Sequence, residues 1–89
     1  MAKKIGFTDN FKKNYRKLPR TIQRRFDEKL VLFEKDPTHP SLNIHRYRSE
    51  INVWEGYVTR KYRFTFTSTQ EEYIFRNIGS HGIIDKGKV

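Results

Sequence analysis

The stretch "VWEGYVTRKYRFTFTSTQEEYIFRNI", residues 53–78, alternates apolar and polar side chains and is crowded with aromatic and β-branched residues. Both properties belong to half-buried β-strands. If Trp54 and Val58 point at a core, the pleat sends Glu55, Tyr57 and Thr59 the other way. In the next segment Phe64 and Phe66 point inward and Arg63, Thr65 and Thr67 outward. "RK" (60–61) and "STQE" (68–71) have the length of hairpin turns. Upstream, "NIHRYR" (43–48) and the turn "SEIN" (49–52) extend the same pattern. The whole predicts four antiparallel strands.

Before residue 43 the period changes. Thr8 suits the cap of a helix beginning at Asp9, whose carboxylate sits at the helix's positive end. Phe11, Tyr15 and Leu18 then mark one face until Pro19 closes it. A second helix from Pro19 or Arg20 to about Lys35 carries Ile22, Phe26, Leu30 and Phe33 as a long apolar stripe. "DPTHPSL" (36–42) must be a loop, and "KKIGFT" (3–8) reads as a short first strand. The expected class is α+β: an N-terminal strand, a helical hairpin, then a twisted antiparallel sheet of three to four strands.

Eighty-nine residues bound the chain to one domain, 1–89, with a small core. Hydrophobic residues make up only 35%, so the seven Phe, five Tyr and one Trp must supply much of the burial. Without cysteine, neither a disulfide framework nor a thiolate metal site can form. No segment approaches a membrane span and the start lacks a signal-peptide core, so a cytoplasmic protein with no membrane partner is expected. The net charge of +9 predicts attraction to polyanions.

That charge meets a sheet face expected to be open. Glu55, Tyr57 and Arg63 would lie on it, with Arg46 or Arg48 at one side and His81 at the end of the last strand. Arginines that hold phosphates beside aromatic rings that stack bases suit single-stranded RNA. His39, between turn prolines, is expected to order its loop, and His45 to pack on a strand face. The three histidines lack the carboxylate spacing of a zinc site, and no metal or other cofactor is expected.

Four pieces recur in one order: "KLP" (17–19) entering the second helix, "DPTHPSL" (36–42) before the sheet, Trp54 nine residues ahead of the arginine of "YR" (62–63), and "IGSH" (78–81) at the end. In this order the chain resembles the RelE/ParE superfamily of bacterial toxin–antitoxin systems from Phe11 to His81. The "HPSL" and "IGSH" pieces look more like its RelE-like, mRNA-cleaving branch than its ParE-like, gyrase-poisoning branch. The resemblance implies a microbial-RNase-like fold and a ribosome-dependent endoribonuclease acting on mRNA. It also implies an acidic cognate antitoxin, and contact with operator DNA only through that complex. A gyrase poison and a non-catalytic nucleic-acid-binding homologue stand as alternatives.

Metal-free RNA cleavage drives the ribose 2′-OH onto the adjacent phosphorus. It calls for a base, cations on the phosphorane and an acid for the departing 5′-oxygen. The resemblance implies Arg63 as the phosphate cation and His81 as the acid. Glu55, standing where relatives carry lysines, is the candidate base. Arg48 and its neighbour Arg46, with Tyr57, Arg60, Lys61 and Arg76, form the implied RNA-binding set. Many relatives place a tyrosine three to six residues after the His81 position; here "GIIDKGKV" (82–89) contains no aromatic residue.

Overall fold

A computed structural model describes residues 3–48 and 50–89. In chain order it contains β1 (Lys4–Phe7), α1 (Asp9–Arg16), α2 (Arg20–Lys35), a 3-10 turn (Pro40–Leu42), β2 (His45–Arg46), β3 (Trp54–Tyr57), β4 (Tyr62–Ser68), β5 (Glu72–Ser80) and α3 (His81–Asp85). Thr8 caps α1 as its sequence position requires, its hydroxyl accepting from the Phe11 amide at 3.0 Å. In the next loop His39 caps the 3-10 turn, its Nδ1 accepting from the Ser41 amide.

The four later strands form the expected antiparallel meander, and the first strand joins it. Sheet order is β1-β5-β4-β3-β2, with β1 parallel to β5, so the sheet is mixed and five-stranded. The β4–β5 register slips between Thr65 and Phe66: Thr65 pairs with Asn77 but Phe66 with Phe75, leaving Arg76 as the extra residue of a bulge.

The helices cover one face of this sheet. All seven phenylalanines gather there in one cluster centred on Phe75, which is fully buried and has the rings of Phe7, Phe11, Phe26, Phe33, Phe64 and Phe66 within 5.3–5.9 Å. Tyr15 closes the edge of the cluster and donates to Asp27 Oδ1 at 2.7 Å. Burial, reinforced by that bond and the aspartate's charge, pushes its phenol up to about 12.

Gly56 is a packing requirement of this face. A Cβ there would lie 2.3 Å from the Phe64 ring, which is itself buried against Phe26 and Phe75. Gly56→Ala should therefore cost about 3 kcal/mol by forcing the ring out of place, read as a lowered urea midpoint.

The opposite face is less open than the strand pattern implies. After α3 the chain folds back over it, and Tyr47, Val53, Ile84 and Val89 form a second, small apolar cluster. Tyr47 donates its hydroxyl to the Ile84 carbonyl, and Asn77 Nδ2 donates to the Lys88 carbonyl. What stays uncovered is the end of the sheet carrying β2, β3 and the start of β4.

Candidate functional site

Cross-strand register builds a four-residue cluster at that end. His45 pairs with Glu55, and Tyr57 pairs with Arg63. The Glu55 side chain is only 8% exposed, with Oε1 2.9 Å from His45 Nε2 and Oε2 3.6 Å from Arg63 Nη1. The Arg63 guanidinium lies 3.7 Å over the Tyr57 ring, a cation–π contact, and donates from Nη2 to the Arg60 carbonyl at 2.8 Å. His45 meets the same tyrosine edge-on, with 6.2 Å between ring centroids.

Three polar atoms here are buried without a hydrogen-bond partner among the described residues: Glu55 Oε2, Arg63 Nε and Thr65 Oγ1. Buried polar groups are paired in nearly all folded proteins, so three such atoms on one face single it out as the candidate site. Arg63 is thus held by Tyr57 and the Arg60 carbonyl, while Glu55 comes no nearer than 3.6 Å and leaves its charge unspent in any direct ion-pair hydrogen bond. Such a guanidinium can hold a phosphate without first losing side-chain freedom.

His81 stands at the same end of the sheet. It follows by two residues Gly79, the β4–β5 register partner of Arg63, and its amide donates to the Lys61 carbonyl at 2.6 Å. Its imidazole is 53% exposed, and Nδ1 lies 3.1 Å from Asp85 Oδ2, one turn along α3. Asp85 therefore orients the ring with Nδ1–H toward the carboxylate and leaves Nε2 to solvent, the arrangement of a proton-transferring histidine.

The remaining candidates divide. Arg60 and Lys61 are exposed in the β3–β4 turn, beside Arg63 and His81. Arg46 does not belong to this surface: it pairs with Trp54, which packs into the helix-side core, so the pleat directs it away from Glu55 and Arg63. Arg48 lies past β2 in a left-handed turn conformation (φ 48°), its guanidinium 5.0 Å over the Tyr47 ring. Arg76, the bulge residue, is spent on structure, donating to Thr67 Oγ1 and to the main-chain oxygen of Val89.

Two residues of the site, His45 and Asp85, have roles that the strand alternation does not display. His45 does more than pack: it holds the Glu55 carboxylate, a contact set by strand register across an irregular turn. Asp85 lies one turn after His81 on α3, and its i, i+4 spacing is the only signal of this pairing in the sequence. No group of three or more potential metal ligands occurs among the described residues.

No family model matches the chain, and no curated protein matches it in sequence. Solved structures do. The RelE–RelB complex of Pyrococcus horikoshii OT3 superposes with a TM-score of 0.74 at 15% identity, covering 92% of this chain and 98% of that one. YafQ of Escherichia coli BL21(DE3) gives 0.77 at 13% identity, with 92% and 97% covered. The RelB–RelE antitoxin–toxin complex of Methanococcus jannaschii gives 0.76 at 17%, with 92% and 96% covered. The chain has the RelE-like toxin fold, and at these identities the likeness is one of fold.

Proposed function

We propose that this protein is the toxin of a toxin–antitoxin pair and inhibits translation by cutting mRNA at the ribosome without a metal. The observation that carries the reading is the Arg63 guanidinium, held by Tyr57 and the Arg60 carbonyl at the uncovered end of the sheet, with the oriented His81 ring beside the same strand pair. The shared fold with RelE and YafQ and the net charge of +9 support it.

In this mechanism Arg63 receives the scissile phosphate and neutralises the charge that grows on its oxygens as the 2′-oxygen attacks. The 2′-O–P bond forms and the P–O5′ bond breaks. Protonated His81 delivers its Nε2 proton to the departing 5′-oxygen. Glu55 does not take the part of the base: one oxygen is committed to His45, the other is buried 3.6 Å from the guanidinium, and neither meets solvent readily. The 2′-OH proton then leaves to water. Arg60 and Lys61 add backbone contacts, and an acidic antitoxin that folds on binding is the expected neutralising partner.

Expression in growing cells followed by primer extension on abundant transcripts tests the reading. Codon-phased cuts that disappear on antitoxin co-expression are expected; double-strand DNA breaks would favour a gyrase poison instead. His81→Ala should lower cleavage by at least about tenfold with the fold intact, because the ring is exposed and its loss leaves no buried group unpaired. A His81→Ala protein that cuts at the original rate would remove the acid assignment.

A further inference from the structure

We propose that His45 is a positioning residue for Arg63: by holding a proton against Glu55 it keeps the guanidinium's charge open to an anionic phosphate. The inference rests on the reading of Arg63 as the phosphate contact and adds a group that governs it.

His45 Nδ1 lies 2.8 Å from the Asn43 main-chain oxygen, which can only accept, so Nδ1 carries a hydrogen. Nε2 lies 2.9 Å from Glu55 Oε1, and a lone pair facing a carboxylate oxygen at that distance would be repulsive. A second proton therefore sits between Nε2 and Oε1, and the His45–Glu55 pair is neutral whichever atom owns it. The titratable and charged groups that face His45 are Glu55 and Tyr57 on β3 and, behind Glu55, Arg63 on β4.

With the pair neutral, Arg63 has no need to close on Glu55. The structure shows it standing off: Nη1 is 3.6 Å from Oε2, beyond hydrogen-bond reach, Nε has no partner among the described residues, and the plane is stacked on Tyr57. Removal of that proton leaves a carboxylate with one counter-ion in contact distance, Arg63, inside a poorly solvated cluster. The guanidinium then turns to Glu55 and its charge is lost to an incoming phosphate. One proton on β2 thus decides where the positive charge on β4 is spent.

Fluorescence anisotropy with a labelled 2′-O-methyl RNA oligonucleotide, which cannot be cleaved, separates binding from chemistry. Wild-type affinity should weaken as pH is raised, because loss of the proton between His45 and Glu55 frees the carboxylate to claim the guanidinium. His45→Gln, whose amide still donates to Glu55 but brings no charge, should bind about tenfold more weakly at the acid end, with a flattened profile. His45→Gln combined with Glu55→Gln should recover affinity to within about twofold, because the competing carboxylate is gone. A single variant with the wild-type profile, or a double variant as weak as the single, overturns the proposal.

Failure of the underlying reading shows separately, as an Arg63→Ala protein that binds the oligonucleotide like wild type at every pH. The proposal then stands or falls without RNA: the Arg63 Nε–H resonance should shift in step with the His45 ring nitrogens in wild type and stay still in His45→Gln. Uncoupled resonances overturn it.

Discussion

Arg63→Ala should reduce RNA cleavage by about a hundredfold or more and abolish growth arrest, the largest loss expected of any single side chain on the sheet's uncovered end. Deleting one preorganised charge-stabilising donor from a reacting centre has this order of effect, and a phosphorane places still more negative charge on its oxygens than a carbonyl addition does. The fold should survive, because the side chain lies outside the phenylalanine cluster and Glu55 retains His45 as a partner. Arg63→Lys should recover only part of the rate: an ammonium keeps the charge but loses the fork and the flat surface that stacks on Tyr57. The measurement is single-turnover cleavage on programmed ribosomes, with far-ultraviolet circular dichroism and thermal melts as controls for folding. A folded Arg63→Ala protein that still arrests translation would sink the nuclease proposal.

Phe75→Ala carries the largest expected loss of stability, about 3–5 kcal/mol. A domain of 89 residues has in total roughly 4–13 kcal/mol to lose. The residue is 0% exposed and contacts every other phenylalanine, so its removal leaves a void walled by six rings belonging to β1, both long helices and β4. Those walls come from four separate elements and cannot collapse together. Urea denaturation followed by Trp54 fluorescence should show the midpoint drop steeply with little change in slope. Phe75→Leu, which keeps most of the volume, should cost much less. A Phe75→Ala midpoint near wild type would mean that the cluster is not the keystone of the core.

The helices, the loop at residues 36–42 and the four later strands were legible because each is a local pattern: a cap, a 3.6-residue stripe, two prolines, a period of two. The alternation of Glu55, Tyr57, Arg63 and Thr65 onto one face was legible for the same reason. What escaped was everything set by register between distant segments. Nothing in "KKIGFT" says that Lys4 will lie opposite Glu72, and nothing in "EYIFRNI" shows that the bulge will add Arg76 and aim it at the tail. Arg46 and Arg48 look equivalent in sequence, two apart on one strand, yet β2 ends between them. His45 and Glu55 meet because a ten-residue excursion brings them opposite each other. The return of Ile84 and Val89 across the sheet shows no periodicity at all, since five residues of α3 are too few to display one.

The parallel pairing of β1 with β5 also bears on how the chain comes to be folded. Residues 4–7 leave a translating ribosome early but find their partners only when residues 72–75 have followed. Until then Phe7 has no Phe75 to rest on, and the ring around which the core assembles is missing. His81 lies later still, so the proposed catalytic pair is incomplete until the chain has passed β5. A nascent chain that stops short of β5 therefore has neither the assembled core nor the proposed pair.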